Sequence, residues 1–416
     1  MTAEHLRSAA ENSAPSRRIV SVSKYIPYPS ITHAGGQYVG QHVSALARLA
    51  DVELLAPETP LNRHALTQFR GEASVRLLRG VGPGGDGRFK TVFDVESAWR
   101  GSAVAWPYRR LFQTSRGPWP QLATADLIEF HWSEMIAVAP SVRNRLPGTP
   151  LVGVAHDVIT QRWERASAAA GNKLAGLAYA AAARRSRSQE QSSFQALDAV
   201  LVFSDKDAAL AREFAPKTRI EVVHPGLGPA EVLDRAVDID EPVVLFTGAL
   251  NRPDNESGML WFLQRVWPDV IGAVPSARLV IAGANPRPAL ARAVERAPRA
   301  VLTGFVDSLE PWYARAAVFV APLRTGAGVK FKTIDAMLRG APVVATKVGA
   351  EGIDASSLFA GITDEPGEFA RAVIAELRHP DARRTAEAQR WAEGVYGATA
   401  FEKRLHTLYA GLLPGR

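Results

Sequence analysis

The chain has 416 residues, which is more than one compact hydrophobic core usually supports, so we predict two domains. A composition of 47% hydrophobic and 22% charged residues is that of a globular protein and excludes a disordered chain. The absence of cysteine excludes disulfides and thiolate metal sites.

The net charge of +7 lies entirely in the first half of the chain. Through Gly228 there are 27 Lys and Arg against 20 Asp and Glu, whereas from Pro229 onward there are 22 of each. Two interpretations remain open: an anionic partner such as a membrane surface or lipid phosphate, or a merely solvated basic face. No nucleic-acid-binding motif accompanies the basic residues, so nucleic acid is not an expected partner.

No segment has the pattern of an export signal or a membrane span. Residues 1–17 lack the apolar core of a signal peptide and are predicted to form a disordered tail. The alanine-rich segment 166–183 is interrupted by Asn172 and Lys173. We therefore expect a cytoplasmic protein, with peripheral attachment at the inner face of the membrane as an alternative.

Residues 18–228 are predicted to form an N-terminal Rossmann-like domain. One helix is predicted over 36–50, because Val39, Val43 and Leu46 share a face. Continuous apolar strands separated by helices indicate a parallel sheet covered on both faces. The predicted strands are 18–23, 52–57, 75–80, 125–132, 149–157 and 198–204.

A second Rossmann-like domain is predicted over 242–395, after an interdomain linker at 229–241 that is rich in proline, glycine and acidic residues. A helix is expected around 256–272. Residues 396–416 are predicted to form a C-terminal helix that packs back on the N-terminal domain. The predicted strands of the second domain are 242–248, 277–283, 300–305, 317–322 and 341–346.

The segment RTGAGVKFKTIDAMLRGAPVVA, residues 324–345, predicts an anion site. It lacks the residue order of a P-loop, and a bulky residue stands where the dinucleotide fingerprint needs a small one. What remains is a glycine loop between a strand and a helix, at the sheet edge where ligands bind. The amides at Gly326 and Gly328, with Lys330 and Lys332 beside them, suit an anion.

Three other strand ends carry candidate groups. Gly35 and Gly36 open the first helix, His156 ends an apolar strand, and Arg252 follows the first strand of the second domain. If both sheets turn these edges toward one cleft, an anion would meet the glycine amides and the cations together. The alternatives are a tight turn at Gly35–Gly36, a structural histidine, and surface charges at Arg252 and Lys332.

Apparent carboxylate motifs also have structural explanations. Asp335 has Arg339 four residues later, so a helix-face ion pair would explain it. The D-x-D sequences at 205–207 and 238–240 are read as a helix cap after Ser204 and as part of the linker, so no metal site is predicted. No nucleophile elbow or zinc-protease motif is present in the sequence.

The ordered motifs of the second half resemble those of the glycosyltransferase family 4 (group 1) enzymes, which have the two-domain GT-B fold. The close resemblance covers 242–353, through FTGALNRPDNESGMLWFLQRVWP, ARLVIAGANP and the stretch from LTGFVDSLEPWY to VGAEGI. A looser resemblance includes the glycine turn at 35–36, AHD at 155–157 and DAVLVFSDKDAALAREF at 198–214.

The resemblance implies an α/β protein of GT-B fold, with two doubly wound Rossmann-like domains facing across a cleft and C-terminal helices. It implies a retaining glycosyltransferase that needs no metal or other cofactor. The enzyme would move a sugar from a nucleotide-diphosphate sugar, held by the second domain, to a glycan, lipid-linked or small-molecule acceptor held by the first. Polysaccharide, glycolipid or other glycoconjugate biosynthesis would be its context.

The resemblance also assigns roles to individual residues. His156 would lie near the transferred sugar, Asp335 would bind ribose, and Arg252 would bind the donor phosphates. The residues expected at the donor phosphates are Gly35, Gly36, Arg252, Gly326, Gly328, Lys330 and Lys332, and those expected at the nucleoside are Gly304, Phe305, Val306 and Asp335.

Two departures from the family pattern qualify these roles. Ala327 and Asp335 stand where paired glutamates are usual, and Ser257 replaces a frequent lysine, so Lys330 or Lys332 would supply that charge. The alternatives are a nucleotide-sugar epimerase or phosphorylase of the same fold, and a non-catalytic subunit.

Overall fold

The computed structural model describes residues 17–28, 31, 34–79, 96, 106–156, 158–168, 172–227, 233–325 and 329–413. The predicted tail, apart from Arg17, and the loop residues Gly326, Ala327 and Gly328 lie outside the described residues. The chain divides into two compact units. The first runs through His224 and resumes at Glu402, and the second spans Pro225–Phe401.

The first unit contains a parallel sheet in the order β3-β2-β1-β4-β5-β6-β7 within the described residues. Its strands are Arg18–Val22 (β1), Asp51–Pro57 (β2), Ser74–Leu78 (β3), Leu127–His131 (β4), Leu151–Val154 (β5), Ala199–Val202 (β6) and Arg219–Val222 (β7). The central strands β4, β5 and β6 are buried along their whole length, as the predicted cover on both faces requires. The strand order reverses between β1 and β4, which makes the carboxyl ends of these two strands the expected binding edge.

Helices connect these strands, and polar caps mark where several of them begin. The described helices are Ala34–Ala47 (α1), Pro60–Gln68 (α2), Trp106–Gln113 (α3), Trp119–Leu122 (α4), Ser133–Ile136 (α5), Ala139–Arg145 (α6), Ile159–Ala168 (α7), Lys173–Gln195 (α8) and Asp205–Phe214 (α9). Ser204 accepts a hydrogen bond from the Asp207 amide at 3.2 Å, so the first D-x-D belongs to a capped helix start, as predicted.

The second unit repeats the doubly wound pattern with the order β10-β9-β8-β11-β12-β13. Its strands are Val243–Thr247 (β8), Arg278–Ala282 (β9), Ala300–Gly304 (β10), Ala316–Ala321 (β11), Val343–Ala345 (β12) and Gly361–Ile362 (β13). Its described helices are Pro253–Arg265 (α10), Trp267–Ala273 (α11), Pro288–Arg296 (α12), Glu310–Arg315 (α13), Phe331–Leu338 (α14), Pro366–Arg378 (α15) and Ala382–Tyr396 (α16), followed by Ala398–Leu412 (α17), which ends in the first unit. The switch point of this sheet lies between β8 and β11.

The structure differs from the sequence predictions at several boundaries. The single helix expected around 256–272 is two helices, because Pro268 lies in the first turn of α11 and cannot continue α10. Residues 233–241 of the predicted linker belong to the second unit, where the Arg235 guanidinium donates to the carbonyls of Ala316 and Arg339. The C-terminal helix expected over 396–416 is α17, which begins at Ala398. Its part from Glu402 onward belongs to the first unit.

Asp238, in the second D-x-D, accepts hydrogen bonds from the amides of Asp240 and Glu241 and so forms a turn. Among the described residues, no helix combines the length and the apolarity needed to cross a bilayer.

Candidate active site

Lys332 is the most unusual cation of the second unit. It lies in the first turn of α14, and its Nζ donates to Asn255 Oδ1 at 2.5 Å. Asn255 is held in turn by a hydrogen bond from its Nδ2 to the Ala249 carbonyl at 2.8 Å. The Nζ also lies 4.4 Å from the centre of the Phe246 ring at the end of β8. The structure therefore places this ammonium at the carboxyl end of the first strand of its sheet.

The surroundings of Lys332 disfavour its charge. The pKa of Lys332 is lowered from 10.5 to about 7, mainly by burial; Asp254 opposes this change, and the charges of Arg252 and Lys330 add to it. The three cations that the family resemblance places at the donor phosphates thus interact electrostatically. The interpretation of Lys332 as a surface charge is wrong. A bound anion would offset both the desolvation and the mutual repulsion.

Lys330 and Arg252 differ in how freely they can meet a ligand. Lys330 is largely buried and its Nζ lies 3.1 Å from Glu351 Oε2. Arg252 precedes α10, its side chain is 67% exposed, and its guanidinium lies 3.2 Å from Asp254. An exposed ion pair of this kind contributes little free energy, so Arg252 can exchange Asp254 for an anion at low cost.

Glycines allow neighbouring groups to approach the backbone closely at the ends of β8 and β9. A Cβ on Gly248 would lie 2.6 Å from Lys332 Nζ, and a Cβ on Gly283 would lie 1.8 Å from the Gly248 carbonyl oxygen. Gly283 needs glycine because its clash is with backbone, and Gly248 needs glycine because its φ of +156° strains any residue with a Cβ. The sequence predictions missed Gly248, Gly283 and Asn255. The apolar strand followed by glycine in LFTG and VIAG was the available signal.

The residues expected at the nucleoside differ in their exposure and in whether they already have a partner. Asp335 Oδ1 accepts a hydrogen bond from Arg339 at 2.6 Å, and Arg339 also binds Glu310, so the predicted helix-face ion pair is present. Gly304 ends β10 with φ +71°, and the next side chain, Phe305, is 69% exposed. Val306 follows it and is partly buried. The Phe305 ring is therefore accessible at the end of this strand.

In the first unit, His156 lies against an aromatic cluster. The Trp132 indole stacks on its imidazole with ring centroids 4.0 Å apart and planes 9° apart. The rings of Tyr38 and Phe203 meet it edge-on, each with a centroid distance of 5.2 Å. Trp132 itself adopts φ +80°, a conformation that costs free energy for a non-glycine residue. Such strain at a strand end is typical of functional sites.

Gly35 and Gly36 lie inside the first turn of α1 and do not form a separate tight turn. A Cβ on Gly35 would lie 2.0 Å from the Trp132 indole. Gly35 is therefore required so that Trp132 can reach His156. Gly36 is buried in the same turn. The sequence predictions missed Trp132, although it immediately follows an apolar strand in ADLIEFHW.

Among the described residues, one set of His and carboxylate side chains is close enough to hold a metal ion: His42, Glu129 and His131, all fully buried in the first unit. Its donor atoms are already engaged with one another. Glu129 lies 3.0 Å from His42 Nε2 and 3.1 Å from His131 Nε2. This cluster was not predicted, although a Glu and a His inside a fully buried strand are a recognisable signal.

Comparison with known proteins gives family matches in both units. The family model described as "Glycosyl transferase 4-like domain" matches residues 34–226, and the one described as "Glycosyl transferases group 1" matches residues 241–379. A curated protein of Klebsiella pneumoniae, "Uncharacterized 44.6 kDa protein in cps region", is 33% identical over 123 residues. That match covers 28% of this chain and spans 31% of the relative's length.

Solved structures share the fold over nearly the whole chain. Sucrose-phosphate synthase from Thermosynechococcus elongatus superposes with a TM-score of 0.64 at 18% identity, covering 95% of this chain and 99% of that one. HepE from Anabaena, in complex with UDP and glucose, gives 0.58 at 13% identity, covering 95% and 100%. WaaG, a glycosyltransferase involved in lipopolysaccharide biosynthesis, gives 0.56 at 13% identity with the same coverage. At these identities the likeness concerns the fold.

Proposed function

This chain belongs to the group 1 glycosyltransferases and has their GT-B fold, and from that premise we propose that it is a retaining, metal-independent enzyme that uses a nucleotide-diphosphate sugar. The donor would bind to the second unit, and the acceptor hydroxyl would come from a molecule bound to the first. The related HepE was crystallised with UDP and glucose, and with UDP-glucose, which supports a donor of this class.

The desolvated Lys332 is the observation that carries this proposal. Cleavage of a glycosyl–phosphate bond builds negative charge on the leaving diphosphate while the sugar becomes cation-like. Preorganised positive groups in a poorly hydrated site stabilise that charge without having to reorganise. Lys332 supplies such a group together with Arg252 and Lys330. The amides of Gly326, Gly328, Gly35 and Gly36 are proposed as further hydrogen-bond donors to the donor phosphates.

These side chains would stabilise the charge of the leaving diphosphate, as a divalent metal does in other transferases. Arg252 is proposed to take the donor phosphates and to release Asp254 as it does so. The leaving phosphate would then help to deprotonate the acceptor. His156 is proposed as the group near the transferred sugar, held in one orientation by the Trp132 stack. Phe305 and Val306 are proposed beside the nucleobase, with Gly304, and Asp335 beside the ribose.

Asp335 has the least support among these roles, because its carboxylate already pairs with Arg339. Ribose binding there would require the hydroxyls to share Asp335 with the guanidinium, which a two-oxygen acceptor allows. If the ion pair is its whole function, Asp335→Asn would alter stability and leave nucleotide affinity unchanged.

A binding panel tests the proposal. Wild-type protein is screened by thermal shift against UDP-, GDP-, ADP- and dTDP-sugars, and products are detected by mass. We expect one donor to raise the melting temperature, Arg252→Ala to lower its affinity at least tenfold, and Arg383→Ala to leave it unchanged. Arg383 is a matched control because its side chain is 88% exposed and pairs with Glu387 on α16. No stabilisation by any nucleotide would favour a non-catalytic subunit, and acceptor-independent isomerisation would favour an epimerase.

The acceptor and its location are proposed from the surface of the first unit. Leu174 and Leu177, at the start of α8, are 82% and 67% exposed, and Lys173 and Arg184 on the same helix are also exposed. Apolar side chains flanked by cations suit an anionic membrane surface. We therefore propose a lipid-linked or envelope glycan acceptor reached from the inner leaflet. The cps-region relative and the lipopolysaccharide role of WaaG support that context.

Vesicle flotation tests the proposed membrane binding independently of catalysis. Full-length protein should float with phosphatidylglycerol-containing vesicles and not with pure phosphatidylcholine. The double variant Leu174→Ser/Leu177→Ser should lose flotation, while Leu66→Ser, at an exposed leucine of α2, should retain it. Equal recovery of all three proteins with both vesicles would contradict membrane binding and leave a soluble glycan or small molecule as the acceptor.

A further inference from the structure

A fully buried polar cluster lies beneath the aromatic residues around His156. Its centre is the Glu129 carboxylate, on β4. Glu129 Oε2 accepts from the Tyr409 hydroxyl at 2.5 Å and lies 3.0 Å from His42 Nε2. Glu129 Oε1 lies 3.1 Å from His131 Nε2. One carboxylate therefore joins three elements that are far apart in sequence: α1, β4 and α17.

The protonation states of this cluster are consistent with a network of donors around an ionised carboxylate. Burial alone would raise the pKa of Glu129, but the two imidazoles hold it well below its ordinary value. Burial lowers the pKa of His42 and raises the pKa of Tyr38 and of Tyr409, so both phenols stay protonated and can donate. The Tyr38 hydroxyl lies 3.1 Å from His42 Nδ1, which leaves His42 Nε2–H to donate to Glu129.

The same cluster touches the groups that hold His156. His131 immediately precedes Trp132, the residue with φ +80° whose indole stacks on His156. Tyr38, which is bound to His42 through its hydroxyl, meets the His156 ring with its own ring edge. Two short chains of contacts, one through Trp132 and one through Tyr38, thus connect Glu129 to His156.

We propose that Glu129 is a positioning residue: by accepting hydrogen bonds from His42, His131 and Tyr409 it fixes the end of β4 and the middle of α1, and it thereby sets the orientation of His156 through Trp132 and Tyr38. An unpaired buried carboxylate would be costly, so the arrangement tolerates few alternatives. This inference rests on the proposed role of His156, and its primary test needs no activity.

The test is Glu129→Gln, which keeps the shape of the side chain but replaces an acceptor oxygen by an NH₂ donor. Because all three neighbours donate, at least one of them loses its acceptor. Glu190→Gln is the matched control. Glu190 is a buried carboxylate of the same unit that accepts from the amides of Ile159 and Thr160, at 2.6 and 3.0 Å. Both variants should be destabilised, but only Glu129→Gln should disturb His156.

The primary readout is the long-range ¹H–¹⁵N spectrum of full-length protein labelled at its nine histidines, with His156 assigned by His156→Gln. We expect the His156 ring signals to shift or broaden in Glu129→Gln and to stay in place in Glu190→Gln. Tyr409→Phe, which removes one donor and adds none, should give a smaller shift and covers the case that Glu129→Gln does not fold. With UDP-glucose hydrolysis as the assay, Glu129→Gln should lower kcat at least tenfold and leave KM within twofold.

Three results would overturn the proposal. The first is unchanged His156 signals in both Glu129→Gln and Tyr409→Phe. The second is an equal disturbance in Glu190→Gln, which would mean that any loss of stability reaches His156. The third is one tightly bound divalent metal per purified chain that Glu129→Gln removes, since His42, Glu129 and His131 would then be its ligands. Absence of activity with every donor would refute the proposed function alone, because the ring signals would still test Glu129.

Discussion

Binding of a nucleotide sugar above pH 7 should draw a proton from solution, and Lys332 is the group that should take it. The free protein holds the pKa of Lys332 at about 7, mainly through burial. A diphosphate beside the ammonium favours its charged form and raises that pKa toward 10.5. The difference between 10.5 and about 7 corresponds to roughly 5 kcal/mol, which is the upper limit of what the anion can recover.

The sign of the pH dependence follows from linkage. Below pH 7 Lys332 is charged in both the free and the bound protein, so the affinity should not change with pH. Between pH 7 and the pKa of the bound state, only the complex carries the proton, and Kd should rise about tenfold per pH unit. Kd should therefore be about 50-fold higher at pH 9 than at pH 7, where Lys332 is already half deprotonated in the free protein.

Calorimetric titration with UDP-glucose, or with the donor that the panel identifies, measures this effect directly. At pH 8.5, titrations in two amine buffers of different ionisation enthalpy should give an uptake of roughly one proton, falling toward zero at pH 6. Lys332→Met should bind at least tenfold more weakly and take up none, while Arg383→Ala should match the wild type. Zero uptake by the wild type, or the same uptake by Lys332→Met, would refute the assignment of this lysine to the diphosphate.

Four further outcomes follow from the structure. Lys332→Met should raise the free energy of unfolding at pH 6, as measured by denaturant titration. This gain should decrease between pH 7 and pH 10.5, because in that range only the unfolded wild-type chain carries the proton on Lys332. Gly35→Ala should destabilise the fold by about 1–3 kcal/mol and change near-UV circular dichroism, whereas Gly148→Ala, which has open space around it, should not. Phe305→Ala should weaken nucleotide binding roughly tenfold with an unchanged melting temperature, since the ring is exposed. Activity should survive EDTA; complete loss that Mg²⁺ or Mn²⁺ restores would contradict metal independence.

The architecture could be predicted because a sheet covered on both faces leaves a strong sequence pattern. Strands such as β6 and β11 are apolar along their length and were predicted to within about two residues. The strand β7 was missed because its sequence, RIEV, carries two charges at the edge of the sheet. The strand β13 was missed because it has only two residues. Local pattern fails where a strand is exposed or very short.

The glycines and cations of the candidate site could be named from the sequence, but the burial of Lys332 could not. Lys332 in sequence looks like any lysine beside a glycine loop, and only the folded chain places it against Phe246 and Asn255. The cluster around Glu129 joins residues 42, 129, 131 and 409, and no local pattern reports such distant neighbours. The positive φ of Trp132 was likewise not visible in the sequence.

The last helix, α17, gives the first unit a discontinuous chain, and this has a consequence for synthesis. Its strands are complete once residue 222 has been made, but Tyr409 is delivered only after the whole second unit. At about 5–20 residues per second, synthesis of residues 225–401 takes roughly 10–35 s. During that time the nascent sheet holds Glu129 without one of its donors. The second unit can therefore complete its fold on the ribosome before the first.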